Sequence, residues 1–441
     1  MIMKKLIVVL FAIAAGRSAQ AQEHPLTLEE AIAIALQNNY DIQIARNDST
    51  VAAINESYGK YLFFPTVNAQ GSLIVNNSRQ LQELKNGTTR GGKVQQTTIN
   101  SSVNLNWVLF DGFRMFIARE RLDQLIRVGE LQIRNQVVTT VSDVMRNYYG
   151  IVRQQEQIKA LQEGIALASD RLRIAQYKFD IGTGVKPDVL QAQIDVNSQR
   201  TNLLAQQAQL DVYRAQLGYL FNNGQPVPVT VADTIITFNN NITLDSARSG
   251  LDQVNPRLQL GRENIRLAEL TLREARASRW PTVSFTSAYN FNRAKSGSVV
   301  NEITQPVLNR NSGLNYGLTA TIPLFNGFSV RRNIQLAQTE IRFQELTYAR
   351  DLSNIQVGIS AAYLSYDASR RALRLEEQNL LLVRENLAIV RERYRLGVTN
   401  FIELRTAEQN LSDAQFRIIQ ARYNTKLAEI QVMQLRGDII R

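Results

Sequence analysis

The sequence predicts a mainly α-helical chain with a smaller β portion of membrane type, built from two copies of one unit. Three observations carry this expectation: a long-range internal repeat, two pairs of alternating strands, and helices with apolar residues at every seventh position. Each half reads as one helix, two strands and two further helices.

The repeat is legible in aligned words. Leu26–Asn47 aligns without a gap on Ile242–Glu263, an offset of 216 residues, and the same offset sets Phe64–Val67 on Trp280–Val283. Leu-Phe-(Asp/Asn)-Gly-Phe occurs at Leu109–Phe113 and Leu324–Phe328, 215 residues apart. Phe179–Gly182 then matches Tyr394–Gly397, and Asp188-Val189 matches Glu403-Leu404, again at 215. Four anchors in one order at a nearly constant spacing indicate an internal duplication, with a period far too long for a solenoid. The expected domains are a signal at 1–21, a first repeat at 22–221, a linker at 222–241 and a second repeat at 242–441.

The chain starts with Lys4 and Lys5, an apolar run Leu6–Ala15, and Ala19-Gln20-Ala21. That order reads as an export signal cleaved after Ala21, and the apolar run is too short for a retained anchor. There is no cysteine, which excludes a disulfide framework and lipid attachment at a processed N-terminus. The formal net charge of +11 falls to about +8 once Lys4, Lys5 and Arg17 are removed. Lys and Arg are interspersed with Glu and Asp along helical stretches, the pattern of a solvated surface, so no nucleic-acid partner is expected. After the signal no stretch reaches the ~20 apolar residues of a membrane helix. Membrane entry would require a β-barrel.

The opening helices, about 27–60 and 243–278, run toward Pro65 and Pro281, which cannot continue a helical ladder. Alternation follows each proline. Val283, Phe285, Tyr289 and Phe291 fall on one side, and Thr282, Ser284, Thr286, Asn290 and Asn292 on the other. Leu314, Tyr316, Leu318 and Ala320 return opposite Asn315, Thr319 and Thr321, and the first half repeats the scheme. The expected strands are about 65–76, 97–109, 281–292 and 313–324. A half-buried soluble sheet alternates in the same way. Strand length and uncharged Asn, Ser and Thr on the polar face favour a barrel with a wet interior. Asn76–Gln96 and Asn292–Ser312, both net positive, read as exposed loops.

Between strand and helix, Asp111 or Asn326 can cap and Gly112 or Gly327 can make the bend. From about Gly327 to Leu396 there is no proline, and Leu352, Ile359, Tyr366, Leu373, Leu380, Leu387 and Tyr394 recur every seventh residue. Such a repeat implies left-handed coiling against neighbours. About 70 helical residues span roughly 100 Å, more than one globular core covers. Gly112–Ile181 has the same character. Glycine-containing turns at Phe179–Leu190 and Tyr394–Leu404 lead to return helices ending near Phe221 and Leu435, and the linker reads as punctuated by Gly and Pro with two short strands.

In this order and spacing, the two-half repeat, the LF(D/N)GF turns, the Pro-Thr-Val strand starts and the Y-x-x-G…(D/E)-(V/L) helix turns resemble the outer membrane efflux (TolC-like) family. The resemblance covers essentially the whole mature chain. It implies a homotrimer whose four strands per protomer make a twelve-stranded barrel in the outer membrane of a Gram-negative bacterium. A long α-helical periplasmic barrel would continue it, with the linker in an equatorial belt. It further implies a passive exit duct served by a periplasmic adaptor and an inner-membrane transporter, without a cofactor. A coiled-coil scaffold with a β head, exported but without a pore, is the rival reading.

Nothing points to catalysis. The one histidine, His24, stands at the new N-terminus, and Glu29-Glu30 and Glu376-Glu377 lie in helical contexts. The resemblance places the helix-to-helix turns at the tip where the duct narrows. By motif position Glu403 corresponds to an acidic residue of the constriction, and Asp188 and Tyr394 to a closing network. Thr399 stands where relatives have an arginine partner, and Thr406 replaces a second acidic ring, which puts the lock in doubt. Asn400-x-x-Glu403 equally reads as a capping box, Asp188 as a first-turn residue and Tyr394 as packing. Gly182, Thr183, Gly184, Val185 and Gly397, Val398, Thr399, Asn400 are the expected adaptor-docking tips.

Overall fold

The computed structural model describes residues 25–83, 85–224, 230–298 and 307–439. The export signal, His24, linker residues 225–229 and loop residues 299–306 lie outside the described residues. The chain forms two compact units, each drawing segments from both sequence repeats. One comprises residues up to Asn47 with Leu131–Leu260 and Ala349–Arg441; the other comprises Asp48–Glu130 with Gly261–Tyr348.

In chain order the elements are α1 (Leu28–Asn38), α2 (Tyr40–Ser57), β1 (Thr66–Glu83), β2 (Thr89–Phe110), α3 (Arg114–Asp180) and α4 (Lys186–Leu220). The second half repeats them as α5 (Leu244–Arg248), α6 (Leu251–Val254), α7 (Pro256–Ala277), β3 (Thr282–Ser298), β4 (Leu308–Thr321), α8 (Ser329–Arg395) and α9 (Phe401–Arg436). The two long helices have 67 residues each. Among the described residues no helix is long and apolar enough to cross a membrane.

Each opening helix is broken rather than continuous, and one asparagine per repeat breaks it. Asn39 Oδ1 accepts from the amides of Asp41 (3.0 Å) and Ile42 (3.3 Å), while its Nδ2 donates to the Leu220 carbonyl at 3.2 Å. Asn255, 216 residues later, accepts from Arg257 (2.8 Å) and Leu258 (3.1 Å) and donates to the Leu435 carbonyl at 2.8 Å. Both side chains are buried. Each caps a new helix and ties it to the end of a return helix, so three polar groups are satisfied at once. Sequence spacing alone suggested one helix because the apolar pattern runs through the break.

The apolar stripe of α8 is covered within one protomer. Ile359, Tyr366, Leu373, Leu387 and Tyr394 are all buried, packed in clusters with residues of α3, α4 and α9. This corrects the expectation that only further copies would cover it. A second stripe at the same spacing, Leu375, Leu382, Ile389 and Leu396, is 53–67 % exposed. The principal core of this unit gathers Val141, Val144, Tyr148, Ile151, Leu217 and Ile430. The Tyr148 hydroxyl donates to the Leu26 carbonyl at 3.1 Å. Leu26 in turn makes an isolated parallel bridge with Val231. That bridge replaces the two short strands expected in the linker, whose described part holds no longer ladder.

The sheet of the second unit is antiparallel, in the order β1-β2-β3-β4, so β1 and β4 are its open edges. The hairpins are longer than expected: β1 pairs with β2 out to Glu83↔Thr89, and β3 with β4 out to Lys295↔Leu308. Much of the supposed loop sequence is therefore ladder. Alternation is the sequence sign of a strand with one apolar face, and it fades where both faces are polar while the backbone pairing persists. On the polar face Asn100 bonds Ser72 at 3.3 Å and also Asn292, and Asn104 bonds Ser102 at 2.9 Å.

Both strand-to-helix turns place two consecutive residues in the left-handed region: Gly112 and Phe113 at φ 73° and 68°, Gly327 and Phe328 at 60° and 59°. The Asp111 carboxylate accepts from the Met115 amide at 3.1 Å and is buried. Asn326 contributes its backbone carbonyl to the Ser329 amide instead.

Candidate functional site

The two helix-to-helix turns lie together at one end of the helical unit. Each closes with the same backbone device. After α3, the amides of Thr183 and Gly184 donate to the Lys178 carbonyl at 2.9 and 2.8 Å, with Gly182 at φ 76°. After α8, Val398 donates to the Arg393 carbonyl at 2.9 Å, with Gly397 at φ 80°. These bonds satisfy carbonyls that a helix end leaves without partners. Val185 and Asn400 then start the return helices; the Asn400 side chain accepts from the Glu403 amide at 2.9 Å.

A cleft between the turns is lined by Lys178, Thr183, Gly184, Asp188, Tyr394, Gly397, Thr399 and Asn400. Asp188 and Tyr394 are thus brought together. Tyr394 is buried, and burial first, then the nearby Asp188 charge, raises its pKa. Lys178 sits 3.8 Å above the Tyr394 ring centroid and donates to the Tyr394 carbonyl at 3.2 Å. Glu403 sits beside this group: Thr399 donates its hydroxyl to the carboxylate, and the Arg393 guanidinium reaches it at 3.0 Å. The arginine missing at position 399 is therefore supplied from the last turn of α8. At 47 % and 41 % exposure the Arg393–Glu403 pair is worth only about 0.2–1 kcal/mol. Thr406 is not part of the cleft; its hydroxyl donates back to the Ile402 carbonyl at 2.9 Å. Val185 and Val398 are exposed at the turns.

The turn motifs gave no hint of a buried charge cluster between the tip cleft and the middle of the helices. Arg171 on α3, 4 % exposed, donates to Asp195 on α4 at 2.7 Å and to Glu408 on α9. Arg405 on α9 clasps the same Asp195 with two bonds of 2.9 and 3.1 Å. Arg391 on α8 reaches Asp170 on α3 at 3.3 Å. The cluster joins the hairpin of one repeat to that of the other. Burial raises the Glu408 carboxyl to about 7, against the lowering pull of Arg171. The available signal was positional: Ala168, Arg171 and Ala175 are all buried, so Arg171 occupies a core position in the three-four spacing of its helix. Among the described residues no group of His, Cys, Asp and Glu is arranged to hold a metal ion.

Comparison with known proteins agrees with this architecture. The family model for outer membrane efflux proteins matches residues 31–223 and 248–438. The chain is 21 % identical over 394 residues to toxin and drug export protein A of Aggregatibacter actinomycetemcomitans, covering 87 % of this chain and 82 % of the relative. It is 21 % identical to the outer membrane efflux protein BepC of Brucella suis biovar 1, covering 93 % and 85 %. The solved Campylobacter jejuni CmeC outer membrane channel superposes with a TM-score of 0.74 at 17 % identity, covering 93 % of this chain and 85 % of that one. No finding favours the poreless scaffold. The chain belongs to the outer membrane efflux protein family and is an outer-membrane exit channel with a TolC-like fold, four barrel strands per protomer and a periplasmic helical part.

Proposed function

We propose that three copies close the channel and that the paired helix turns form its periplasmic gate. The outer membrane efflux protein family is one of channels rather than enzymes. The two repeats, 22–221 and 242–441, would each supply two strands and one helical hairpin, with 222–241 linking them. The single observation that carries the trimer is the unpaired pair of sheet edges, β1 and β4. An isolated four-stranded sheet exposes backbone donors and acceptors along both edges, which lipid cannot satisfy; ring closure removes them. The exposed stripe Leu375, Leu382, Ile389 and Leu396 offers the matching helical contact.

The gate would use Glu403, Asp188 and Tyr394, with Arg393 and Lys178 as cationic partners. Threefold symmetry would gather the carboxylates into rings that favour cations at the entrance. A periplasmic adaptor would dock on Gly182–Val185 and Gly397–Asn400, coupling the duct to an inner-membrane transporter that supplies the energy. Glu403→Gln should lower cation preference in single-channel recordings at low salt. Unchanged ion selectivity would refute a pore-lining role for this carboxylate.

A further inference from the structure

The apolar face of the sheet changes character along its length. Nearest the helices it presents Trp107, Phe285 and Leu318 on one hydrogen-bonded row, and two rows on it presents Val103, Tyr289 and Leu314. Two rows further, Arg293 stands directly opposite Arg310, with Lys295 on the row after that; Arg79 stands directly opposite Lys93 near the tip of the first hairpin. Directly paired residues share a face, and so do residues separated by even steps along a strand. All five cations therefore lie on the side of Trp107 and Tyr289, not on the Asn- and Ser-rich side.

This placement is costly unless something answers it. Like charges directly opposite on a ladder repel. Among the described residues none of the five forms an ion pair, and Arg79, Lys93, Lys295 and Arg310 are exposed. The one carboxylate on this face among the described strand residues, Glu83, is four positions from Arg79, roughly 14 Å along the strand. The cations begin where the apolar rows stop, at the hairpin end away from the helices. In a channel whose helices are periplasmic, that end faces outward, at the depth of the outer-leaflet headgroups.

We propose that Arg79, Lys93, Arg293, Lys295 and Arg310 form a binding belt for phosphate-bearing lipid headgroups of the outer leaflet. Phosphomonoesters supply the missing anions, and guanidinium groups grip them with paired hydrogen bonds. The same apolar face receives the acyl chains, so lipid and not a free anion is the occupant. The belt rests on the membrane barrel and is independent of the gate.

The test uses the purified full-length protein in a zwitterionic detergent, titrated with diphosphoryl lipid A, with phosphate-free lipid A and with inorganic phosphate, and read by native mass spectrometry. The wild type should bind the diphosphoryl lipid at least tenfold more tightly than the phosphate-free lipid. The triple variant Arg293→Gln/Lys295→Gln/Arg310→Gln should lose that preference, whereas Arg374→Gln on a helix should keep it. Should the triple variant lack the sheet signature in circular dichroism, Arg79→Gln/Lys93→Gln provides the same reading on the other hairpin, with a smaller loss expected. Equal binding of both lipids by the wild type, an undiminished preference in the folded variants, or displacement by inorganic phosphate at equal concentration would overturn the belt. Pore selectivity, measured on the same variants, should not move; a change there would place the cations inside the duct.

Discussion

The two strand-to-helix turns spell nearly the same word and adopt the same backbone, yet they sit in different surroundings. At Asp111-Gly112-Phe113 a Cβ on the glycine would lie 2.6 Å from the Ala277 carbonyl oxygen and 2.7 Å from Trp280 Cβ. At Asn326-Gly327-Phe328 nothing stands within 4 Å of that position. Asp111 is buried and bonded to its helix, whereas Asn326 is exposed. Backbone shape is thus inherited by both copies from the local word, while packing around it is set separately in each.

Substitution separates these two contributions. Gly112→Ala meets both a left-handed backbone and a blocked site, so a cost of about 3 kcal/mol is expected. Gly327→Ala meets only the backbone penalty, about 1 kcal/mol. Thermal unfolding of the purified protein, followed by circular dichroism, should rank them in that order. Equal losses would mean that the crowding at Ala277 and Trp280 relaxes freely.

The two breaking asparagines offer a closer match. Asn39→Ala removes a helix cap and leaves the Leu220 carbonyl without its donor, at an expected cost of about 2 kcal/mol. Asn255→Ala should cost somewhat less, since Pro256 at the first helical position already holds the φ the helix needs. The same unfolding measurement checks both, and a larger loss at Asn255 would reverse the assignment of Pro256 as a local support.

The smallest effect concerns the charged cluster, which has no counterpart by repeat symmetry. The Glu408 carboxyl, raised from 4.5 to about 7 by burial, binds a proton in the folded chain that the unfolded chain releases. Its contribution to stability is full below about pH 4.5 and is lost as pH rises through about 7. Glu408→Gln should therefore flatten the fall in unfolding temperature across that interval. Glu156 and Glu429, raised in the same direction by burial, keep part of the slope. An identical pH profile in the variant would show that Glu408 is ionised throughout.

Much of this architecture was readable in single residues. The left-handed turns at Gly112 and Gly327, the two long helices and the cap at Asn400 follow from rules that act over a few positions. The true hairpin lengths did not, because Asn, Ser, Thr and Gly on both faces leave no periodic signal while the ladder continues to Glu83 and Ser298. At the tip, Asp188, Tyr394 and Glu403 were legible from the turn words. Lys178 and Arg393 were not, since a cation near a helix end is the ordinary surface pattern.

By itself the sequence determined the duplication, the order of elements, the seven-residue stripes and the turn geometry, since each depends on neighbours a few positions away. The tertiary structure alone decided which stripe is buried, which face carries the cations and which arginine answers Glu408, 237 residues distant from it. Burial and charge pairing are properties of groups brought together across the chain, and their energies depend on desolvation that no local spelling records.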